Sequence, residues 1–275
     1  AGDNGTPQQI EEIRRALGLN EPIATQLWIY FTDILRGDLG TSYFFKKPVS
    51  ELMLLRVGPT LALATTTLII TILVAVPIGV MAAYRHGSWI DRGVMAFSVM
   101  GFSVPIFVVG YILVYIFAME LKWFPVQGYK SLSDGFLPFI HRLILPSIAL
   151  SVIYIALIAR ITRASVLETL NEDYIRTAYA KGLTPRVVLL RHALRNAAVP
   201  IVTVIGIGIA LLIGGVVVTE TVFNIPGLGR LTVDAVLGRD YPTVQAIILV
   251  FSFVYVFINL VIDLSYSILD PRIRY

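Results

Sequence analysis

The chain has 275 residues, 56% of them hydrophobic and only 15% charged, with 22 basic against 18 acidic side chains and a formal charge of +4. A soluble domain usually carries about 25% charge, so a water-exposed shell around one large core is excluded, and the lack of cysteine excludes disulfides and thiolate metal sites. The basic residues lie between long apolar runs instead of on one soluble face, which points to a membrane surface and away from nucleic acid.

The first segment, AGDNGTPQQIEEIRR, is polar, starts with Ala instead of Met and has no features of a cleavable signal peptide. A piece preceding residue 1 is therefore expected. Residues 10–17 read as a short amphipathic helix closed by Gly18. Residues 23–35 carry Trp28, Tyr30 and Phe31, aromatics suited to a membrane interface or a protein groove. Gly37, Gly40 and the Lys46, Lys47, Pro48 turn lead to a helix beginning near Val49. Residues 1–56 form an ordered external cap on this reading, and residues 57–275 a transmembrane domain.

Five segments are long and apolar enough to cross a bilayer, which takes about 20 residues of helix. They are residues 57–84, 94–119, 143–159, 197–218 and 244–262. The third is the shortest, and its helical pattern continues past Arg160. Pro77, Pro105 and Pro146 fall inside the first three, as packed membrane helices tolerate. The fold class expected is an all-α polytopic membrane protein with five transmembrane helices in this chain.

The one large polar segment between spans is residues 160–196. Leu167, Leu170, Tyr174, Ile175 and Ala178 recur at helical spacing and form one apolar stripe. Gly182 stops that helix, and Thr184 followed by Pro185 starts another. Two readings fit such an elbow: a rigid element that passes force to a soluble partner, or an amphipathic helix resting on lipid.

Orientation follows from basic residues in the loops. The side holding residues 160–196, the turn with Arg85 and Arg92, and the tail with Arg272 and Arg274 has eleven basic and five acidic residues. The other side has eleven basic and twelve acidic residues. The elbow side is therefore expected to be cytoplasmic, with the C-terminus inside and residue 1 outside.

Residues 172–206 resemble the cytoplasmic signature loop of ABC importer permeases, with Arg176, Thr177, Ala178, Gly182 and Leu194 at the signature positions. Arg176 replaces its glutamate, Thr177 its first alanine and Arg195 its proline. RTAYAKG, RHALRN, LRGDLGTS, ILPSIAL, TETVFNIPGLGR, RDYPTVQ and the DPRIR tail more closely resemble the dipeptide, oligopeptide and nickel permease family. They occur in the family's order along nearly the whole chain. That family has six spans, one of them ahead of the external leader, so a sixth is expected in the intact subunit.

The resemblance implies a permease subunit of a bacterial inner-membrane importer that moves di- or oligopeptides by alternating access. A nickel chelate or glutathione is the alternative solute, and an ATP-independent secondary transporter the rival class. The chain has no GxxxxGK[ST] loop, so no cofactor is assigned to it. ATP and Mg are implied for two separate ATP-binding subunits, alongside a second permease subunit and an extracytoplasmic solute-binding protein. Tyr174, Thr177, Ala178, Lys181 and Gly182 are the implied coupling residues; for Ala178 and Gly182, packing within the subunit is the competing reading.

Asn224, Pro226, Gly227 and Gly229 make a turn that fits an outer gate, a contact for the binding protein, or a plain connector, with Glu220 and Arg230 expected to pair across it. Ser98, Ser103 and Tyr111 are candidates for lining the path, although hydroxyls also bond neighbouring helices. Asp263, four residues after Asn259 in the last span, is expected to make a capping or inter-helix hydrogen bond. His86, His141 and His192 have no metal-site spacing, and no metal or catalytic site is assigned.

Overall fold

Apolar runs far longer than a soluble helix needs become four uninterrupted helices: α3 (Val49–Tyr84), α6 (Phe136–Leu170), α10 (Ala198–Val222) and α12 (Tyr241–Leu269). The computed structural model of the chain describes residues 6–16 and 20–269. Gly18, the expected helix stop, and the DPRIR tail with Arg272 and Arg274 lie outside the described residues. Two shorter helices, α1 (Pro7–Ala16) and α2 (Ile23–Leu35), precede the first span. The boundary expected at residues 56 and 57 falls within α3, which starts at Val49 as the sequence suggests.

The second expected span is not one helix. α4 (Trp89–Ser103) and α5 (Ile106–Leu113), which runs on as a π-helical stretch (Val114–Glu120), meet at 104°. Pro105 has no N–H, and its ring pushes the preceding residue out of the helical region. Val104 accordingly sits at φ −97°, ψ 123°. Pro77 and Pro146, by contrast, stay inside continuous helices. Taken as one span, the broken pair brings the candidate crossings among the described residues from four to five. Asp91 in α4 bonds Arg163 toward the Leu170 end of α6, while Gly128, beyond α5, donates to the Phe223 carbonyl just past α10. Those two points are at opposite ends of the bundle, because the start of α10 packs beside the end of α6 through Ile201 and Val166.

α6 starts seven residues before the expected position. His141 and Arg142 hid its first two turns from a charge-based cut, but loop carbonyls satisfy both. His141 Nε2 lies 2.8 Å from the Trp123 oxygen, and Arg142 donates to the Gln127 oxygen at 2.6 Å.

The core is built on α3 against α6. Every fourth residue of α3 from Pro59 through Leu63, Thr67, Thr71, Ala75, Gly79 and Ala83 is buried. Small side chains in such a row let helix backbones approach closely, which is how helices gain dispersion energy where lipid removes the hydrophobic drive. One hydroxyl pair, Thr66 with Ser147 at 2.7 Å, crosses this contact. α10 packs on the other side of α6, and α12 packs mainly on α10. Only 6% of the most apolar stretch of α12 is buried, so its sides are uncovered in the single chain.

Candidate functional site

At the end of α6 the chain turns into the elbow. The expected single stripe is divided between two helices: Leu167 and Leu170 close α6, and α7 (Asp173–Ala180) begins separately. Asn171 and Glu172 turn their N–H groups back to the Glu168 and Thr169 carbonyls, and Glu172 is extended at ψ 147°. α7 ends in a Schellman motif. Leu183 N–H reaches the Ala178 oxygen at 3.3 Å and Gly182 N–H the Tyr179 oxygen at 2.9 Å, with Gly182 at φ +79°. Only glycine adopts that left-handed conformation without strain. Thr184 is then extended ahead of Pro185. Pro185 opens α8 (Pro185–Val187), a π-helical turn (Val188–Ala193) and α9 (Leu194–Asn196), which lead into α10.

The inner side of the elbow is sealed. Ile175 and Ala178 join Val80, Ala83, Val166, Val188, Ala193, Ala197 and Ile201 in one buried cluster. Ala178 therefore faces the bundle. Tyr174, Thr177, Lys181 and Gly182 are exposed, and the Tyr174 hydroxyl accepts from Asn196 Nδ2 at 3.0 Å. Tyr179 and Leu190 also present apolar surface there, 43% and 49% exposed. The sequence reading passed over both, although exposed apolar side chains on a rigid polar element are a recognisable contact signal.

The opposite end holds the TETVFNIPGLGR run. Phe223 and Ile225 are buried, Asn224 stands at φ 53°, and a short helix, α11 (Leu228–Leu237), follows. Glu220 is fully buried at the end of α10 and faces the first turn of α11. It accepts from the Arg230 backbone N–H at 2.9 Å and from the Thr60 hydroxyl at 2.6 Å, while Leu228 N–H donates to that same hydroxyl at 2.8 Å. The expected ion pair between Glu220 and Arg230 is not formed. The Arg230 guanidinium turns to Asp234 at 3.9 Å, because the carboxylate is taken up by the unpaired N–H groups of a helix N-terminus. Gly227 and Gly229 are buried against that carboxylate, and a Cβ on Gly227 would overlap it. Of the four turn residues singled out, only Asn224 and Pro226 reach the surface; Asn224 Nδ2 lies 3.5 Å from Gln127 Oε1.

Ser98, Ser103 and Tyr111 all lie on the broken span and are not brought to one lining. Ser98 is buried and donates to the Val94 carbonyl; Ser103 is exposed and donates to Val99. Tyr111, beyond the bend, is 60% exposed. Asp263 is exposed on α12 instead of tucked against a neighbouring helix, and Asn259 donates to the Tyr255 carbonyl of its own helix.

Two more buried carboxylates tie distant segments together. Asp240 accepts from the Ser42 hydroxyl, the Tyr43 N–H and the Thr243 hydroxyl, fastening the turn ahead of α3 to the start of α12. Asp91 takes both prongs of Arg163 and the Gly87 N–H, and His86 Nδ1 lies 3.1 Å away. In the sequence each looked like an ordinary loop or interface acid. No periodicity links it to a partner 72 or 198 positions away.

The architecture is that of known membrane subunits. The MetNI methionine ABC transporter, in an inward-facing conformation, matches with a TM-score of 0.67 over 80% of this chain and 97% of that chain, at 18% identity, a likeness of fold alone. In sequence, a probable peptide ABC transporter permease of Sinorhizobium fredii is 54% identical over all 275 residues and 88% of its own length. The glutathione transport system permease protein GsiC of Salmonella choleraesuis is 44% identical over the whole chain and 87% of its own length. Residues 1–64 match the N-terminal region, and residues 75–275 the main body, of the binding-protein-dependent transport system inner membrane component. The chain belongs to that family.

Proposed function

We propose that this chain is one permease subunit of an ATP-driven importer of peptides in a bacterial inner membrane. Full-length similarity to a peptide permease supports the solute class. The side carrying the elbow is cytoplasmic on this reading, from its excess of basic residues, and the C-terminus lies there too. Two ATP-binding subunits dock on the elbows of this chain and of a second permease. An extracytoplasmic binding protein delivers solute near the exposed Asn224 and Pro226.

The observation that carries the proposal is the elbow's two-sidedness. Nine buried apolar residues fix one side to the bundle, while Tyr174, Thr177, Tyr179, Lys181 and Gly182 stay open on the other. An element held this way moves as a unit with α6 when a partner pushes it. Alternating access follows if closure of the ATP-binding pair tilts the spans. Ala178 contributes by letting α7 seat closely on its own bundle.

Purification with the adjacent subunits and reconstitution into vesicles tests this. Labelled di- and tripeptides should enter only with binding protein and ATP, and Thr177→Cys, the one cysteine in these 275 residues, should crosslink to an ATP-binding subunit. ATP-independent uptake would favour a secondary transporter. The likeness to a glutathione permease supports a second solute reading within the same class, since glutathione is itself a tripeptide. Competition between labelled glutathione and unlabelled dipeptides separates the two.

A further inference from the structure

We propose that the ion pair of Asp91 with Arg163 is the directional link that fixes how the broken span follows elbow movement, making the two a positioning pair for transport. The inference rests on the importer reading above.

Arg163 sits two turns before the end of α6, on the same continuous helix that leads into the elbow. Its Nε and Nη2 grip both oxygens of Asp91, and Asp91 is 4% exposed in the first turn of α4. A two-pronged guanidinium–carboxylate contact fixes direction as well as distance, so neither helix slides or swivels past the other while it holds. The same carboxylate accepts the Gly87 N–H at 2.9 Å, which adds the turn following α3. One side chain therefore joins three helix ends just above the elbow.

The other end of α4 also packs on α6, with Gly101 against Ala156 and Phe102 under the Arg160 guanidinium, so α4 follows α6 along its length up to the bend. At Val104 and Pro105 the chain bends by 104°, and Pro105 supplies no N–H to bridge the break. A displacement of α6 carried into α4 by the ion pair is taken up at that bend, which changes the angle at which α5 crosses the far half of the bundle. Simple bracing does not account for the charges. A buried ion pair adds little net stability over a well-packed apolar contact, whereas a directional coupling requires its geometry.

The test uses the complete transporter in vesicles, with D91N, R163Q and the double variant. Asparagine at 91 keeps the volume and an acceptor for Gly87 while removing the charge. The double variant, which leaves neither charge unpaired, should assemble in normal yield and continue to hydrolyse ATP, while in all three variants uptake per ATP falls by about tenfold or more, within the range of measured couplings between sites. The double variant should lose no more than either single one, because the pair acts as a unit. R163K, which retains the charge but not the fork, should fall between. Normal uptake per ATP in D91N would overturn the proposal, as would losses of uptake that follow losses of assembly, the mark of a brace. A wild-type complex that hydrolyses ATP without moving solute would sink the importer reading itself, and the transmission role with it, before any variant is compared.

Discussion

Glu220 shows how one buried acid becomes affordable at the rim of a span. An ionised carboxylate without partners would be strongly disfavoured there. Thr60 from α3 and the open N–H groups of α11 supply partners, and Gly227 and Gly229 leave the room. Gly227→Ala forces a methyl group into that carboxylate and should destabilise the folded chain by about 1–3 kcal/mol, the usual cost of overpacking. Thermal unfolding of the detergent-solubilised complex measures it. In a Glu220→Ala background the same substitution should cost clearly less, since residues in contact are non-additive; equal losses in both backgrounds would mean the clash is not the cause.

The elbow is rigid because its turns are capped, not because its helices are long. α7 has only eight residues, too few to be stable alone in water. Its Schellman end and the buried cluster beneath it hold it in place. Gly182→Pro removes the N–H donated to Tyr179 and imposes φ near −65° where the chain stands at +79°. The expected outcome is intact membrane insertion with loss of ATP-coupled uptake or of subunit assembly, read by membrane fractionation beside uptake in the same cells. Full uptake by this variant would remove the elbow from the mechanism. Gly182 was legible as a corner because helix stops are local signals. For Ala178 the sequence left docking and packing within the subunit both open, and the structure chose packing, because which side of a short helix faces the bundle depends on where α6 delivers it.

Across the whole molecule, three buried carboxylates hold together segments remote in sequence: Asp91 at one end, Glu220 and Asp240 at the other. Asp240 hydrogen-bonds the turn at Ser42 and Tyr43 beside the start of α12, where Leu39 and Phe45 also pack with Ala246 and Ile247. Asp240→Ala should loosen that turn and raise tryptic cleavage at Arg36 and Lys46 severalfold without unfolding the spans. A proteolysis time course with the α6 and α10 fragments as internal references reports this, and an unchanged cleavage rate would show that other contacts hold the cap.

The sequence by itself determined the membrane class, the apolar segments long enough to cross, the elbow with its glycine stop, and the family, because hydropathy, helix punctuation and short motifs are carried by residues near one another in the chain. The early start of α6, the partners of Glu220 and the exposure of Asp263 were decided by tertiary structure, as was which span proline breaks its helix, Pro105 and not Pro77 or Pro146. Each depends on what distant parts of the chain do or do not bring beside the residue, and a polar residue's cost or usefulness in a membrane is set by those neighbours, not by its own place in the chain.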